Sequence, residues 1–147
     1  MTNPASVFSD DYAEARQRFR KSAMQLGWHL EAHPIVATGP SGEALNIDVG
    51  MSPGGDPERV LVVSSGVHGV EGFFGSAVQI ALLEQWTSGA LPGTKCVFLH
   101  GVNPYGFAWL RRFNENNVDL NRNFLLPGEP FDGAPEVYAK LDRFLNP

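Results

Sequence analysis

Cysteine is almost absent from this chain of 147 residues: Cys96 stands alone, inside the apolar run Cys96-Val97-Phe98-Leu99. No disulfide framework is possible within one chain, and a lone thiol in a strand-like run reads as a buried residue, poorly placed for a nucleophile. Positive charge is scarce too, with 11 Lys and Arg against 16 Asp and Glu and a net charge of −5. Such a surface lacks the basic footprint that nucleic acids and acidic membranes call for, so neither is expected as a partner. No apolar run is long enough to span a bilayer, and the start Met1-Thr2-Asn3-Pro4-Ala5-Ser6 has no basic region followed by an apolar one. A cytoplasmic location is the expectation. Nucleotide and serine hydrolase spellings are also missing. Gly66, Gly69 and Gly72 are spaced by threes and do not make G-x-G-x-x-G, and neither G-x-x-x-x-G-K-[ST] nor G-x-S-x-G occurs.

What is present is the composition of a globular domain, 43% hydrophobic and 18% charged, in a length that suits one domain with a real core. The chain is organised around residues 61–72, Leu61-Val62-Val63-Ser64-Ser65-Gly66-Val67-His68-Gly69-Val70-Glu71-Gly72. The β-branched run from Val60 to Val63, entered through a Pro and Gly-rich turn, predicts a buried central strand. Beyond Gly66, Phe73, Ala77, Ile80, Ala81 and Leu83 recur at helical spacing. His68 and Glu71 therefore sit between strand and helix, where open α/β sheets place ligands. An imidazole and a carboxylate at this spacing can converge on one point and suit zinc. The same spacing also fits a hydrogen-bonded structural histidine and a glutamate that complements a helix dipole.

Around this stretch the periodicities predict a helix capped near Ser9-Asp10-Asp11, carrying Tyr12, Ala15, Phe19, Ala23 and Leu26 on one face and stopped at Gly27. Arg16, Arg18, Arg20 and Lys21 read as its solvated face. Residues 28–37, interrupted by Pro34, predict an edge strand, and Leu45, Ile47 and Val49 a half-buried strand paired to it as a hairpin. Residues 96–99 predict a second parallel strand, closing a right-handed β-α-β crossover. His100, at the end of that strand, has a structural or supporting role in this reading. A proline-rich loop over 127–135 and a short helix from Glu136 to Leu145 end the chain. Between them, residues 107–124 crowd arginines and amides into a loop, which is costly to order unless something is bound there. Arginine is the preferred reader of carboxylates, although Arg122 could equally pair with Asp119 or Glu115.

Residues 65–72, Asn103-Pro104-Tyr105-Gly106 and Asp119-Leu120-Asn121-Arg122-Asn123-Phe124, taken in this order, resemble the zinc carboxypeptidase superfamily of M14-type metallopeptidases. The match is to its DUF2817 branch, with a likeness to the aspartoacylase and succinylglutamate desuccinylase branch. The resemblance covers about residues 40–125. It implies an α/β fold with a mainly parallel central sheet flanked by helices. It implies zinc held by His68 and Glu71, a carbonyl-polarising Arg112 or Arg111, and Asn121 and Arg122 gripping a substrate carboxylate. The implied reaction is hydrolysis of an amide beside a free carboxylate, in a peptide or, alternatively, an N-acyl amino acid. A non-catalytic binding domain is the reading from another class. The third ligand, a histidine, and the catalytic glutamate of that family come from further downstream, and no histidine follows Phe124 here. Residues 1–147 thus read as the N-terminal portion of a single catalytic domain, inactive alone, whose incomplete sheet would either self-associate through an exposed apolar edge or be unstable in isolation.

Overall fold

The first helix shows how local signals become packing. Asp11 caps it, its side chain accepting the Glu14 N–H at 2.8 Å, and Gly27 at φ +68° follows its end. Tyr12, Ala15, Phe19 and Ala23 are buried along one face, as their spacing predicts. In the computed structural model, which describes residues 4–87, 89, 92–123, 125–130 and 136–145, this helix, α1 (Tyr12–Gln25), precedes β1 (His29–Thr38), β2 (Ala44–Met51) and β3 (Asp56–Ser64). Helix α2 (Gly72–Thr87), β4 (Thr94–His100), α3 (Pro104–Ala108) and α4 (Glu136–Leu145) follow, with a 3-10 turn at Leu120–Arg122. The expected loop over 127–135 lies partly outside the described residues. Among the described residues no helix is long and apolar enough to cross a membrane.

The four strands make one sheet in the order β1-β2-β4-β3. The hairpin is there, β1 and β2 pairing antiparallel with β1 at the edge and an irregularity after Pro34. The crossover is there too, with β3 and β4 parallel around α2. The α/β class therefore holds, in the form of a mixed sheet: β2 pairs β4 antiparallel, so the parallel character expected of most of the sheet is confined to β3 and β4. One position is corrected. The run Val60–Val63, expected at the centre, is an edge strand among the described residues, with Val60, Leu61 and Val62 about half exposed at 51%, 45% and 57%. An apolar run of this length spells a buried strand wherever it sits, and only the pairing order decides whether a neighbour covers it.

Helices α1 and α2 share one face of the sheet. Phe19 and Ala23 from α1, Ile80 and Leu83 from α2, and Cys96 and Phe98 from β4 join Trp28 in one core, which confirms Cys96 as a buried free thiol. Asp48, Gly50, Phe98 and His100 face these helices, because Asp48 lies opposite His100 and Gly50 opposite Phe98 in the β2–β4 register. Asp48 is thus buried on the strand whose apolar residues were expected to point inward. Arg16 Nε and Nη2 at 2.6 and 3.1 Å, and Arg20 Nη1 at 2.5 Å, compensate its charge.

His100 stacks on Phe19 with ring centroids 4.5 Å apart, and its Nε2 lies 2.9 Å from Ser76 Oγ, while its buried Nδ1 has no partner among the described residues. Burial lowers its pKa from 6.5 to about 4, against the attraction of Asp48 and with the repulsion of Arg16. The folded chain therefore stays unprotonated at His100 in a range where the unfolded chain is protonated. Stability from this residue is complete above about pH 6.5 and is lost as pH falls toward 4, by on the order of 3 kcal/mol. Urea unfolding from pH 7 to pH 4 should show this slope in the native protein and a shallower one in His100→Gln.

Candidate functional site

The ends of β3 and β4 are tied side by side before either loop begins. Buried Gln79 of α2 donates from Nε2 to the carbonyls of Val63 and Leu99 at 2.9 and 3.1 Å, and its Oε1 accepts from Ser65 Oγ at 2.9 Å. Backbone bonds from Val102 N–H to Ser65 and from Asn103 N–H to Gly66 continue the pairing into the two loops. The loop that carries His68 is then pressed onto α3. A side chain at Gly69 would place its Cβ 1.8 Å from the Gly106 carbonyl carbon, so only glycine permits this approach. Asn103 caps α3, accepting from the Gly106 N–H at 2.8 Å, and its Nδ2 donates to the Arg112 carbonyl at 3.3 Å. The histidine loop and the arginine segment are thereby held against the same short helix.

His68 is nearly buried, 9% exposed. Its Nε2 lies 2.8 Å from Asp119 Oδ1, and the other oxygen of Asp119 accepts from Arg112 Nε at 2.8 Å. Desolvation pulls the Asp119 carboxyl upward, but the bonds from His68, Arg112 and the Asn121 N–H outweigh it and hold the group down at about 2. Asp119 is consequently an ionised acceptor, so in the neutral ring the proton belongs on Nε2 and the lone pair on Nδ1. That lone pair faces Glu71 Oε1 at 3.3 Å. Two electron-pair donors turned toward each other attract a cation between them. Zinc bonded to both at about 2.1 Å with tetrahedral angles would separate them by about 3.4 Å, so the pair fits. Asp119 supplies the outer carboxylate that commonly orients a metal-bound histidine.

A cavity of about 280 Å³ opens beside the pair, with His68, Glu71, Phe74 and Asn121 among its walls. Asn121 thus joins the two donors. Arg112 is joined to them through Asp119, whereas Arg111 lies over the Tyr105 ring at 5.9 Å, which separates the two arginines that the sequence leaves equivalent. Arg122 is exposed and donates to the Asn121 carbonyl at 3.2 Å; it does not line the cavity. Asp119 is the residue that sequence reasoning passed over, placing it only as a partner for Arg122. Its first place in the Asp119-Leu120-Asn121-Arg122 motif was the available signal.

Among the described residues no group of three His, Cys, Asp or Glu side chains is placed to hold a metal ion. The other histidines are committed elsewhere, His29 and His33 beside Glu31 on β1 and His100 under the helices. A catalytic zinc takes three protein ligands, and among the described residues two donors converge here.

The fold has a counterpart among solved structures. The chain is similar to a candidate metallopeptidase from Shewanella amazonensis SB2B, at 26% identity and a TM-score of 0.56, over 92% of this chain and 51% of that one. Fainter likenesses are to thrombin activatable fibrinolysis inhibitor, at 14% identity and a TM-score of 0.47 over 92% of this chain and 44% of that one, and to Macrostomum lignano glutaminyl cyclase, at 17% and 0.44 over 63% and 31%. The chain thus spans about half the length of the metallopeptidase and less of the other two. No curated protein matches it in sequence. A family model described as "protein of unknown function (DUF2817)" matches residues 8–147, and the chain belongs to that family.

Proposed function

We propose that this chain is the N-terminal part of a zinc-dependent hydrolase that cleaves an amide bond next to a free carboxylate, as a carboxypeptidase does. The observation that carries the reading is the pair His68 Nδ1 and Glu71 Oε1, 3.3 Å apart at the mouth of β3 with the imidazole locked from behind by Asp119. The likeness over 92% of the chain to a candidate metallopeptidase supports it. Zinc held there by His68 and Glu71 would supply Lewis acidity toward a carbonyl and acidify a bound water.

The chain's own residues prepare the rest. Asp119 holds the His68 tautomer, so the donor atom faces the cavity without a cost in reorientation. Arg112 brings a guanidinium to the same carboxylate, from where its remaining N–H groups can stabilise an oxyanion as it forms. Asn121 offers an amide at the cavity wall, and Arg122 beside it is exposed and free to turn toward a substrate carboxylate, fixing the bond in register. The third ligand and the general base of such an enzyme are assigned to no residue described here. A binding domain without catalysis is the second reading, favoured by the fact that only two donors converge among the described residues.

The exposed β3 edge belongs to the same proposal. Edge N–H and C=O groups that no described strand pairs, beside half-exposed Val60 and Val62, invite another strand, and in the isolated chain a second copy would supply it. Sedimentation velocity should find self-association that Val62→Lys abolishes; a native chain that stays monomeric sinks this part.

Zinc titration against a chromophoric chelator tests the site. His68→Ala should remove the bound zinc, and Asp119→Asn should weaken it by about 10–100-fold. Undiminished zinc binding in His68→Ala would take that residue out of the site and leave the binding-domain reading. Arg122→Ala should weaken a carboxylate-bearing peptide by about 1.5–3 kcal/mol in calorimetry, with zinc affinity unchanged.

A further inference from the structure

A cavity of about 530 Å³ lies away from His68, along α1 and the start of β2. Its walls split the basic run of α1. Arg18 turns elsewhere, donating to the carbonyls of Phe8 and Ser6 and lying near Glu84, whereas Arg16, Arg20 and Lys21 all line the cavity. Reading the whole run as a solvated face is therefore right only in part.

The charge balance there exceeds what the fold needs. Buried Asp48 is satisfied at both oxygens by the fork of Arg16, at 2.6 and 3.1 Å, and one guanidinium suffices to neutralise one carboxylate. Arg20 nonetheless adds a second at 2.5 Å. Lys21 brings a third cation to the wall, and Gln17 beside it brings an amide. The acidic group that could offset them, Glu43, is turned back over its own turn, where its Oε2 accepts the Ser41 N–H at 2.9 Å. Three cations thus face two carboxylates, both already bonded, in a concavity of a chain whose net charge is −5. A concavity lined by such an excess of one sign attracts counter-ions. Ala13 and Met24 supply an apolar wall beside it. The volume lies within the roughly 300–1,000 Å³ usual for small-molecule sites.

We propose that this cavity is a second binding site, for a small organic anion with a carboxylate or phosphate head and a compact apolar body. The head would lie against Arg20 and Lys21, whose N–H groups are not exhausted by Asp48, and the body against Met24. The site is independent of the proposed zinc pair and stands or falls without it.

The test is an NMR titration of the full chain with phenyl phosphate, benzoate and benzyl alcohol, reading the α1 amides. Phenyl phosphate or benzoate should saturate at low millimolar concentration, the two heads being told apart by which does so more tightly, while benzyl alcohol should not. Lys21→Met and Gln17→Glu leave the Asp48 pairs untouched, so the fold is kept. Each should weaken the anion about tenfold, and added salt should do the same, whereas His68→Ala should leave it unchanged. If neither anion saturates, or if both variants bind as tightly as the native chain, the site does not exist.

Discussion

One carboxylate joins the parts of the candidate site. Asp119 reaches His68 with one oxygen and Arg112 with the other, both at 2.8 Å, across a sequence separation of 51 residues to the histidine. Its ionisation well below neutrality follows from those bonds, and that ionisation determines which imidazole nitrogen is left to face Glu71. A neutral residue of the same shape could keep the distances and still lose the direction, because an amide can donate as well as accept. The metal-binding role proposed for His68 is in this sense a property of three segments together.

Those segments are brought into register by two side-chain amides and one close backbone approach that leaves no room for a side chain. Gln79 ties the ends of β3 and β4, and the Gly69–Gly106 approach seats the histidine loop on α3, which Asn103 in turn fastens to the carbonyl of Arg112. The sheet below has a different logic. It buries Asp48 and His100 on the face packed by α1 and α2, and the cost is offset at Asp48 by paired arginines and at His100 by a neutral ring that stacks on Phe19. The fold thus places charge next to charge in two distinct regions, one around His68 and one along α1.

Much of this was legible in residue order. The α1 cap and stripe, the hairpin, the β-α-β crossover and the helix from Glu136 to Leu145 all follow from periodicity and turn residues, because those signals are local. His68 and Glu71 stood out since both lie on one loop. The ambiguity between Arg111 and Arg112 was not soluble in the same way, as two neighbouring arginines differ only in what they meet, here Tyr105 and Asp119. Asp48 could not be seen as buried either, for an aspartate between Ile47 and Val49 looks solvent-facing until α1 delivers Arg16 and Arg20 above it.

Local chemistry, then, set the elements, the strand-to-helix position of the donor pair and the absence of a disulfide within the chain, since each depends on residues a few places apart or on composition. Tertiary structure decided that β3 lies at an edge among the described residues, that Asp119 orients His68, and that Arg16, Arg20 and Lys21 line one cavity. Strand order and contacts over long separations are set by the simultaneous packing of many elements, and no window of sequence contains that information.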